Sequence, residues 1–483
     1  MAARQRGGTS VNTERKVIPI QPDPALIPLF EAQRTVYPRT VAGFFQHWRW
    51  AFVWLTQLAF YGTAWLQWGE RQALLFDLEA RRFYIFGLVL YPQDFIYLAG
   101  LLVISALALF LFTAVAGRLW CGFSCPQTVY TEIFLWIERR IEGDRAARMK
   151  LDAAPLSLEK LVKKWFKHIA WTVFALWTGF SFVGYFTPIR ALAMSFITTT
   201  MGPWEVFWVL FYGLATYGNA GFLREQVCKY MCPYARFQSA MFDRDTLIVS
   251  YDAARGEPRG SRPRSADPTA RGLGACIDCT LCVQVCPTGI DIRQGLQYEC
   301  IGCGACADVC DGVMDKMGYA PGLVRFTTQQ GLAQGWSRAQ IWRRVLRPRV
   351  LVYAAVLLAI SLGLAVSLAL RTPFKVDVVR DRGAMARIVA GGAIENVYRL
   401  QIMNATESHQ RFAIAASGLP GLVVTSEPEV EVDATASRWV AVRLQLPHQQ
   451  GAAAGGSHPI HFELRMLDGD ARVREKSVFL IPR

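Results

Sequence analysis

The twelve cysteines of this 483-residue chain form two groups, and their spacings predict different chemistry. Eight lie in two consecutive Cys-x2-Cys-x2-Cys-x3-Cys runs, the first of which is followed by Pro287. Three thiolates spaced by two residues wrap around one 4Fe-4S cluster, and the fourth reaches a second cluster. The pattern predicts a bacterial-type two-cluster ferredoxin module. Its expected ligands are Cys276, Cys279, Cys282 and Cys310 for the first cluster and Cys300, Cys303, Cys306 and Cys286 for the second.

A pair of structural zinc sites is the alternative for these eight cysteines. Zinc motifs usually join two Cys-x2-Cys pairs across a longer spacer, and they have no need of a third and fourth cysteine at these offsets. The spacing therefore favours iron-sulfur clusters. Because such a module moves single electrons without selecting a substrate, specificity must come from another part of the chain.

The other four cysteines form two Cys-x3-Cys-Pro elements, each at the end of an apolar stretch. Since proline favours the first turn of a helix, Cys125 and Cys232 are expected at helix N-termini, where the helix dipole lowers a thiol pKa. Soft thiolates select Cu(I), so four converging thiols beside an electron source predict a cupric reductase. A packing role for buried thiols is the alternative. The proposed catalytic and copper-binding residues are Cys121, Cys125, Cys228 and Cys232.

Two further side chains near these elements are weaker candidates. His168 precedes the third apolar stretch, a position more typical of an interfacial residue than of a metal, haem or quinone contact. Met231 lies between the second pair of thiols, where a thioether is a candidate soft ligand.

A membrane scaffold is expected to position these thiols. Hydrophobic residues make up 52% of the chain, and five apolar stretches are long enough to cross a bilayer. The first stretch follows about fifty mostly polar residues, so no cleavable secretory signal is expected. The expected spans are residues 50–68, 95–117, 169–189, 202–223 and 350–370.

The distribution of charge predicts the orientation. The formal net charge is +14, but the basic residues collect in the N-terminal arm and in the loop after the second span, whereas Arg190 is the only one between the third and fourth spans. The positive-inside rule then places the N-terminus and the clusters in the cytoplasm and the C-terminal domain outside. This pattern does not resemble a nucleic-acid-binding face. No disulfide framework is expected, because the external domain contains no cysteine.

The predicted organisation is a multi-domain membrane protein. A cytoplasmic N-terminal arm, residues 1–49, precedes a four-helix membrane region, 50–223, that carries both Cys-x3-Cys-Pro elements. Residues 224–330 form a linker and the ferredoxin module, and 350–370 form a fifth transmembrane helix. Residues 372–483 alternate apolar and polar side chains in short runs, which predicts a β-sandwich. The short apolar run 83–91 is expected to form an interfacial hairpin or re-entrant piece.

With these motifs in place, the chain closely resembles the bacterial CcoG, FixG and RdxA family of cytochrome c oxidase accessory proteins. The resemblance implies an inner-membrane protein with cytoplasmic clusters, a periplasmic immunoglobulin-like domain, two 4Fe-4S clusters, and reduction of Cu(II) to Cu(I) for delivery during assembly of a C-family (cbb-type) haem-copper oxidase. One departure is Cys310-Asp311, where bacterial ferredoxins usually have Cys-Pro. The segments that carry the resemblance are residues 37–39, 91–95, 121–127, 142–145, 228–238 and 289–293.

The resemblance also implies the partners: a lipid bilayer, copper ions, copper chaperone or transporter proteins, and the oxidase assembly machinery, with no nucleic acid. Two other functions stay open from the sequence. One is an electron relay from quinol to a partner, as in NapH-type membrane polyferredoxins. The other is a non-redox assembly scaffold whose outer domain docks an oxidase subunit or a copper carrier.

Overall fold

The computed structural model describes residues 35–266, 271–381, 386–447 and 455–482. The chain separates into Met1–Val36 and Tyr37–Arg483, and the description below concerns the second unit. Most of the predicted N-terminal arm lies outside the described residues. The helices are α1 (Phe44–Thr63), α2 (Phe95–Ala116), α3 (Leu119–Phe123), α4 (Pro126–Glu142), α5 (Arg145–Ala153), α6 (Leu158–Val183), α7 (Ile189–Ile197), α8 (Pro203–Tyr217), α9 (Pro233–Met241), α10 (Ala253–Gly256), α11 (Leu281–Gln284), α12 (Ala305–Met317), α13 (Gln329–Gln334), α14 (Arg338–Val345) and α15 (Pro348–Ala369).

Among the described residues, all strand pairs are antiparallel, and the two largest sheets lie in the C-terminal region. The strands are β1 (Gln67–Trp68), β2 (Arg71–Gln72), β3 (Leu74–Asp77), β4 (Arg82–Ile85), β5 (Leu88–Leu90), β6 (Ile248–Tyr251), β7 (Val324–Thr327), β8 (Phe374–Arg380), β9 (Arg387–Ile388), β10 (Ile394–Asn404), β11 (Gln410–Ser417), β12 (Val423–Val424), β13 (Glu429–Val432), β14 (Ser437–Leu446), β15 (Gly456–Met466) and β16 (Arg472–Ile481).

Within the described residues, three helical segments are long and apolar enough to cross a membrane: Pro92–Ala116, Pro203–Leu223 and Pro348–Ala369. They coincide with the second, fourth and fifth predicted spans. The first and third predicted spans correspond to α1 and α6, which are helical but are not among these three. Both helices carry polar or charged side chains in their first turns, so the count of five spans stays a prediction.

Helices α1 and α6 nevertheless connect the same two ends of the molecule as the apolar helices. At its start, α1 is held by Asp308 of α12, whose carboxylate accepts the backbone N–H groups of Phe45 (3.1 Å) and Gln46 (2.8 Å). At its other end, the Thr63 hydroxyl lies 2.6 Å from the Tyr185 hydroxyl, just after α6. Helix α6 packs on α8, and α15 packs on α2.

The C-terminal region is a β-sandwich, as the alternating pattern predicts. One sheet has the order β12-β14-β10-β8, with β9 also paired to β10, and the other has the order β13-β11-β15-β16. Alternate side chains of both sheets fill the space between them, as is typical of sandwich cores. The fully buried aromatic residues of this core are Phe374, Tyr398, Phe412, Phe462 and Phe479.

A small sheet, β3-β4-β5, lies against the sandwich. It contains the hairpin predicted near residues 83–91. The Tyr91 hydroxyl donates to the Asn404 carbonyl at 2.8 Å, and the Arg71 guanidinium pairs with Glu407 at 2.6 Å. This sheet therefore lies at the same end of the molecule as the sandwich.

In the sequence, β6 precedes both cysteine runs and β7 follows them. The pairing of these two strands closes the cysteine-rich module. Apolar side chains from these strands and from α12 form its core, including Val249, Met314 and Val324. The module lies at the other end of the helices from the sandwich, against the start of α1.

Candidate iron-sulfur and thiol sites

The first predicted set of cluster ligands lines one cavity. Cys276, Cys279, Cys282 and Cys310 all face it, together with apolar side chains from α12 and the loop before α11. Cys279 is exposed, so this cavity reaches the surface. Burial raises the pKa of the Cys282 thiol to about 11 and that of Cys310 to about 12.

The second predicted set lines a neighbouring cavity. Cys286, Cys300, Cys303 and Cys306 face it, and Cys282 lies on the wall between the two cavities. Burial raises the pKa of the Cys300 thiol to about 12. The structure thus brings together the same two sets of four cysteines that the spacing predicts. Their roles as ligands stay predictions.

The residues of both cavities fit 4Fe-4S clusters. Each cavity offers four thiols in a mostly apolar enclosure, and four cysteine thiolates are the usual ligand set of such a cluster. Buried thiolates need a metal or another positive charge to stabilise them. Among the described residues, no three His, Cys, Asp or Glu side chains converge closely enough to hold a single metal ion. Each set of four thiols lines a cavity, which is the arrangement that a cluster requires.

Both Cys-x3-Cys-Pro elements start helices, as predicted. Cys125 is the N-cap of α4, with Pro126 in the first turn, and Cys232 is the N-cap of α9, with Pro233 in the first turn. The predicted effect on the Cys125 thiol is wrong in sign. Burial raises its pKa, although hydrogen bonds from the backbone of two first-turn residues of α4 act in the opposite direction. At Cys125, the loss of hydration raises the thiol pKa by more than the helix N-terminus lowers it.

The four thiols of these elements lie near one another. Burial raises the pKa of Cys121 to about 11 and that of Cys228 to about 12, and the neighbouring thiols add to both shifts. The Cys121 Sγ donates to Gln238 Oε1 at 3.3 Å, and Gln238 Nε2 donates to Thr113 Oγ1 at 3.4 Å. Because these thiols do not converge on a point, one ion bound by three of them requires some side chains to rotate.

The Cys-x3-Cys-Pro elements pack directly against the second cavity. A Cβ atom on Gly122 would lie 2.8 Å from Cys303 Cα. Cys121 and Cys228 both contact the apolar cluster that contains Ile301 and Cys303. The two groups of cysteines, separated in the sequence, therefore form adjacent sites in the fold.

Arg118 joins the three cysteine-bearing segments. It lies just before α3, and its guanidinium donates to the Ala235 carbonyl in α9 and to the Tyr298 carbonyl before the second cysteine run. Burial raises the pKa of three thiols, and the Arg118 charge opposes that rise at each of them: Cys121, Cys228 and Cys300. Sequence reasoning missed both Arg118 and Gln238. The available signal was their position near the Cys-x3-Cys-Pro elements: Arg118 lies three residues before Cys121, and Gln238 lies six residues after Cys232.

The weaker candidates are not brought into these sites. His168 Nδ1 lies 2.9 Å from the Tyr217 hydroxyl, and its ring stacks on Phe222. Met231 is 58% exposed. The structure therefore gives no support for either as a ligand.

Two four-thiol cavities in a helical, apolar scaffold with an appended β-sandwich define an iron-sulfur electron-transfer protein. Three protein-family profiles match the chain in agreement with this class. Residues 223–329 match a "4Fe-4S dicluster domain", residues 98–143 match a "4Fe-4S binding domain", and residues 364–482 match an "IG-like fold at C-terminal of FixG".

Curated relatives cover most of the chain. "Nitrogen fixation protein FixG" of Rhizobium meliloti is 38% identical and aligns over 81% of each chain. "Protein RdxA" of Cereibacter sphaeroides is 38% identical over 88% of this chain and 92% of the relative. "Protein RdxB" of the same species is 36% identical over 95% and 98%, respectively. The chain belongs to the FixG/RdxA family.

Proposed function

We propose that this protein is a membrane-bound iron-sulfur cupric reductase, which reduces Cu(II) to Cu(I) for copper delivery during assembly of a C-family haem-copper cytochrome c oxidase. The observation that carries the proposal is the packing of Cys121 and Cys228 against the apolar cluster that contains Cys303. A soft-metal site lies next to a site for an electron carrier. The link to oxidase assembly comes from the family resemblance.

The chemistry assigned to the chain's own residues is binding, desolvation and proton release. When bound in the two cavities, 4Fe-4S clusters supply single electrons. Cys121 and Cys228 hold the copper ion, and thiolate ligands stabilise Cu(I) more than Cu(II), so binding favours the reduced product. Cu(II) takes up one electron and becomes Cu(I). Since burial keeps both thiols protonated at neutral pH, copper binding displaces their protons.

A five-span topology belongs to the same proposal. With only the three most apolar helices crossing the membrane, residues 119–142 and the cluster module would lie on opposite sides. The contact of Gly122 with Cys303 favours the same side, so α6 crosses as well. By the same reasoning, the contact of Tyr91 with Asn404 supports a loop after α1 on the same side as the sandwich.

The basic loops support a cytoplasmic cluster module and a periplasmic sandwich at the inner membrane. The proposed partners follow from this placement. Copper chaperone or transporter proteins exchange copper with the thiol site, and the sandwich presents a surface to the oxidase assembly machinery. Neither the sandwich core nor its edge strands carry cysteines, so the copper chemistry is assigned to the cytoplasmic end.

An anaerobic titration tests the function. The purified, reduced protein is titrated with Cu(II) while cluster oxidation and Cu(I) formation are followed together. Replacing Cys121 and Cys228 by Ser is expected to leave the iron-sulfur absorption intact and to abolish Cu(I) formation. Ser124→Ala, in the same loop but with no assigned role, is the matched control. Copper reduction by the double variant at the parental rate would show that the role given to the thiols is wrong.

An electron relay is a second candidate. The match of residues 98–143 to a "4Fe-4S binding domain" includes Cys121 and Cys125, which favours iron-sulfur chemistry at these thiols too. This function predicts more iron per chain than two clusters require, together with reduction by quinol in proteoliposomes. Loss of the extra iron in the Cys121, Cys228 double variant would support the relay, whereas unchanged iron content would support the copper site.

A further inference from the structure

Arg118 is a buried cation without a carboxylate partner. It is 5% exposed, its two Nη atoms donate to backbone carbonyls, and its Nε has no hydrogen-bond partner. In the part of the chain that the structure describes, no Asp or Glu forms an ion pair with it. Buried charges are ordinarily paired or bound to an opposite charge. A buried guanidinium needs a negative charge nearby, and the described carboxylates do not supply one for Arg118.

The position of Arg118 indicates which anion that is. A Cβ atom on Gly302 would lie 3.2 Å from the Arg118 carbonyl carbon, so the residue touches the second cysteine run. Its guanidinium reaches Tyr298, two residues before Cys300. A metal centre held by several thiolates carries net negative charge, and the second cavity is the nearest place for one.

The first cavity has the opposite electrostatic surroundings. Its arginine, Arg293, is paired with Asp291 at 2.7 Å and also with Asp278. Asp311 follows the ligand Cys310 directly and adds a further negative charge at its thiol. Beside the second cavity, Arg49 shares Glu132 with Arg139, at 2.9 Å and 3.3 Å respectively, whereas Arg118 forms no ion pair with a described carboxylate.

We infer that Arg118 is a positioning residue that directs electrons to the second cavity. It supplies a positive charge that no described carboxylate pairs with. A cluster held in the second cavity therefore takes up an electron more readily than one held in the first cavity. Reduction adds one negative charge, which a nearby cation stabilises and nearby carboxylates oppose. The second cavity is also the one beside Cys121 and Cys228. The inference deepens the proposed function and rests on it only for that last connection, since the ranking of the two sites is independent of copper.

The test is an anaerobic redox titration of the full-length protein in detergent, followed by electron paramagnetic resonance, with no copper present. Cys303→Ser identifies the step that belongs to the second cavity, and in the parent this step is expected at the higher potential. Arg118→Gln is expected to shift that step alone by a tenfold change in its equilibrium, about 59 mV for one electron, toward lower potential. Arg118→Lys keeps the positive charge, so its second-cavity step is expected to stay close to the parental potential. Arg293→Gln, which removes an arginine already paired with carboxylates, is the matched control and leaves the second-cavity step in place.

Three outcomes overturn the inference. One is a parental titration in which Cys303→Ser alters the lower-potential step. Another is equal shifts in Arg118→Gln and Arg118→Lys, which would indicate a packing role. The third is a shift of both steps together. If Arg118→Gln fails to assemble its clusters, the inference is tested by the order of the two reduction potentials in the parent and by the potentials of Arg118→Lys. A protein with the expected order that does not reduce copper would contradict the proposed function and leave this inference standing.

Discussion

At the scale of single residues, the proposed copper thiols have neighbours that are not proposed as ligands but orient them. Gln238 is fully buried and accepts a hydrogen bond from Cys121, while its amide donates to Thr113. Groups that orient a metal ligand commonly contribute a factor of about 10–100 to metal affinity. Gln238→Ala is expected to weaken Cu(I) binding by about tenfold, measured by competition with a Cu(I) chelator. Gln294→Ala, at an exposed position of the cluster module, should bind copper as the parent does. Equal affinities in both variants would contradict the orienting role.

The raised thiol pKa values predict a pH dependence of copper binding. Burial raises the pKa of Cys121 to about 11 and that of Cys228 to about 12, so at neutral pH each thiol has to lose a proton to bind copper. Affinity therefore rises with pH, by up to about tenfold per pH unit for each thiol that binds. The measurement is proton release in weak buffer, expected at about two protons per Cu(I) when both thiols bind. A copper affinity that stays constant between about pH 6 and about pH 8 would be inconsistent with these thiols as ligands.

At the scale of elements, the seating of α3 on the second cysteine run is the critical contact. Gly122 leaves room for the backbone of Cys303, and a Cβ atom there would approach it to 2.8 Å. Gly122→Ala is expected to displace α3, with loss of the second-cavity cluster signal and slower copper reduction. The matched control is Gly312→Ala within α12, where a Cβ atom meets nothing within 4 Å and helix propensity predicts a gain of about 0.5–1 kcal/mol. Retention of both clusters in the Gly122 variant would show that this contact is dispensable.

Local patterns predicted the elements that depend on local geometry. The spacing of the cysteine runs, the proline at the start of α4 and the alternation in the sandwich strands all act within a few residues, and each element is present. The predicted membrane span begins at residue 50, whereas helix α1 begins at Phe44, where Asp308, 263 positions away, accepts the Phe45 N–H. The sign of the Cys125 pKa shift was missed for a similar reason, since burial depends on packing between distant segments. Arg118 and Gln238 belong to the same class of long-range contacts.

At the scale of the whole molecule, the helices connect two ends with different chemistry. One end carries the cysteines and the basic loops, and the other carries the sandwich and its supporting sheet. Asp94, buried just before α2, pairs with Arg371 at 3.6 Å and with Lys375 after α15. This contact joins the second and fifth predicted spans at the sandwich end. With a membrane between the two ends, the proposed topology has α1 and α6 crossing it together with the three apolar helices.

The loop between α5 and α6 discriminates between five spans and three. With five spans it lies in the cytoplasm, whereas with three it lies on the side of the sandwich. Ala153 at the end of α5 and Glu427 before β13 are both exposed, so Ala153→Cys and Glu427→Cys place matched probes at the two ends. A membrane-impermeant maleimide added to spheroplasts is expected to label Glu427→Cys at once and Ala153→Cys only after lysis. The parent, whose cysteines all lie at the cluster end, should stay unlabelled until lysis. Labelling of Ala153→Cys on intact spheroplasts would show that α6 does not cross the membrane. The proposed copper thiols and the cluster module would then lie on opposite sides of the membrane, which would contradict the proposed chemistry.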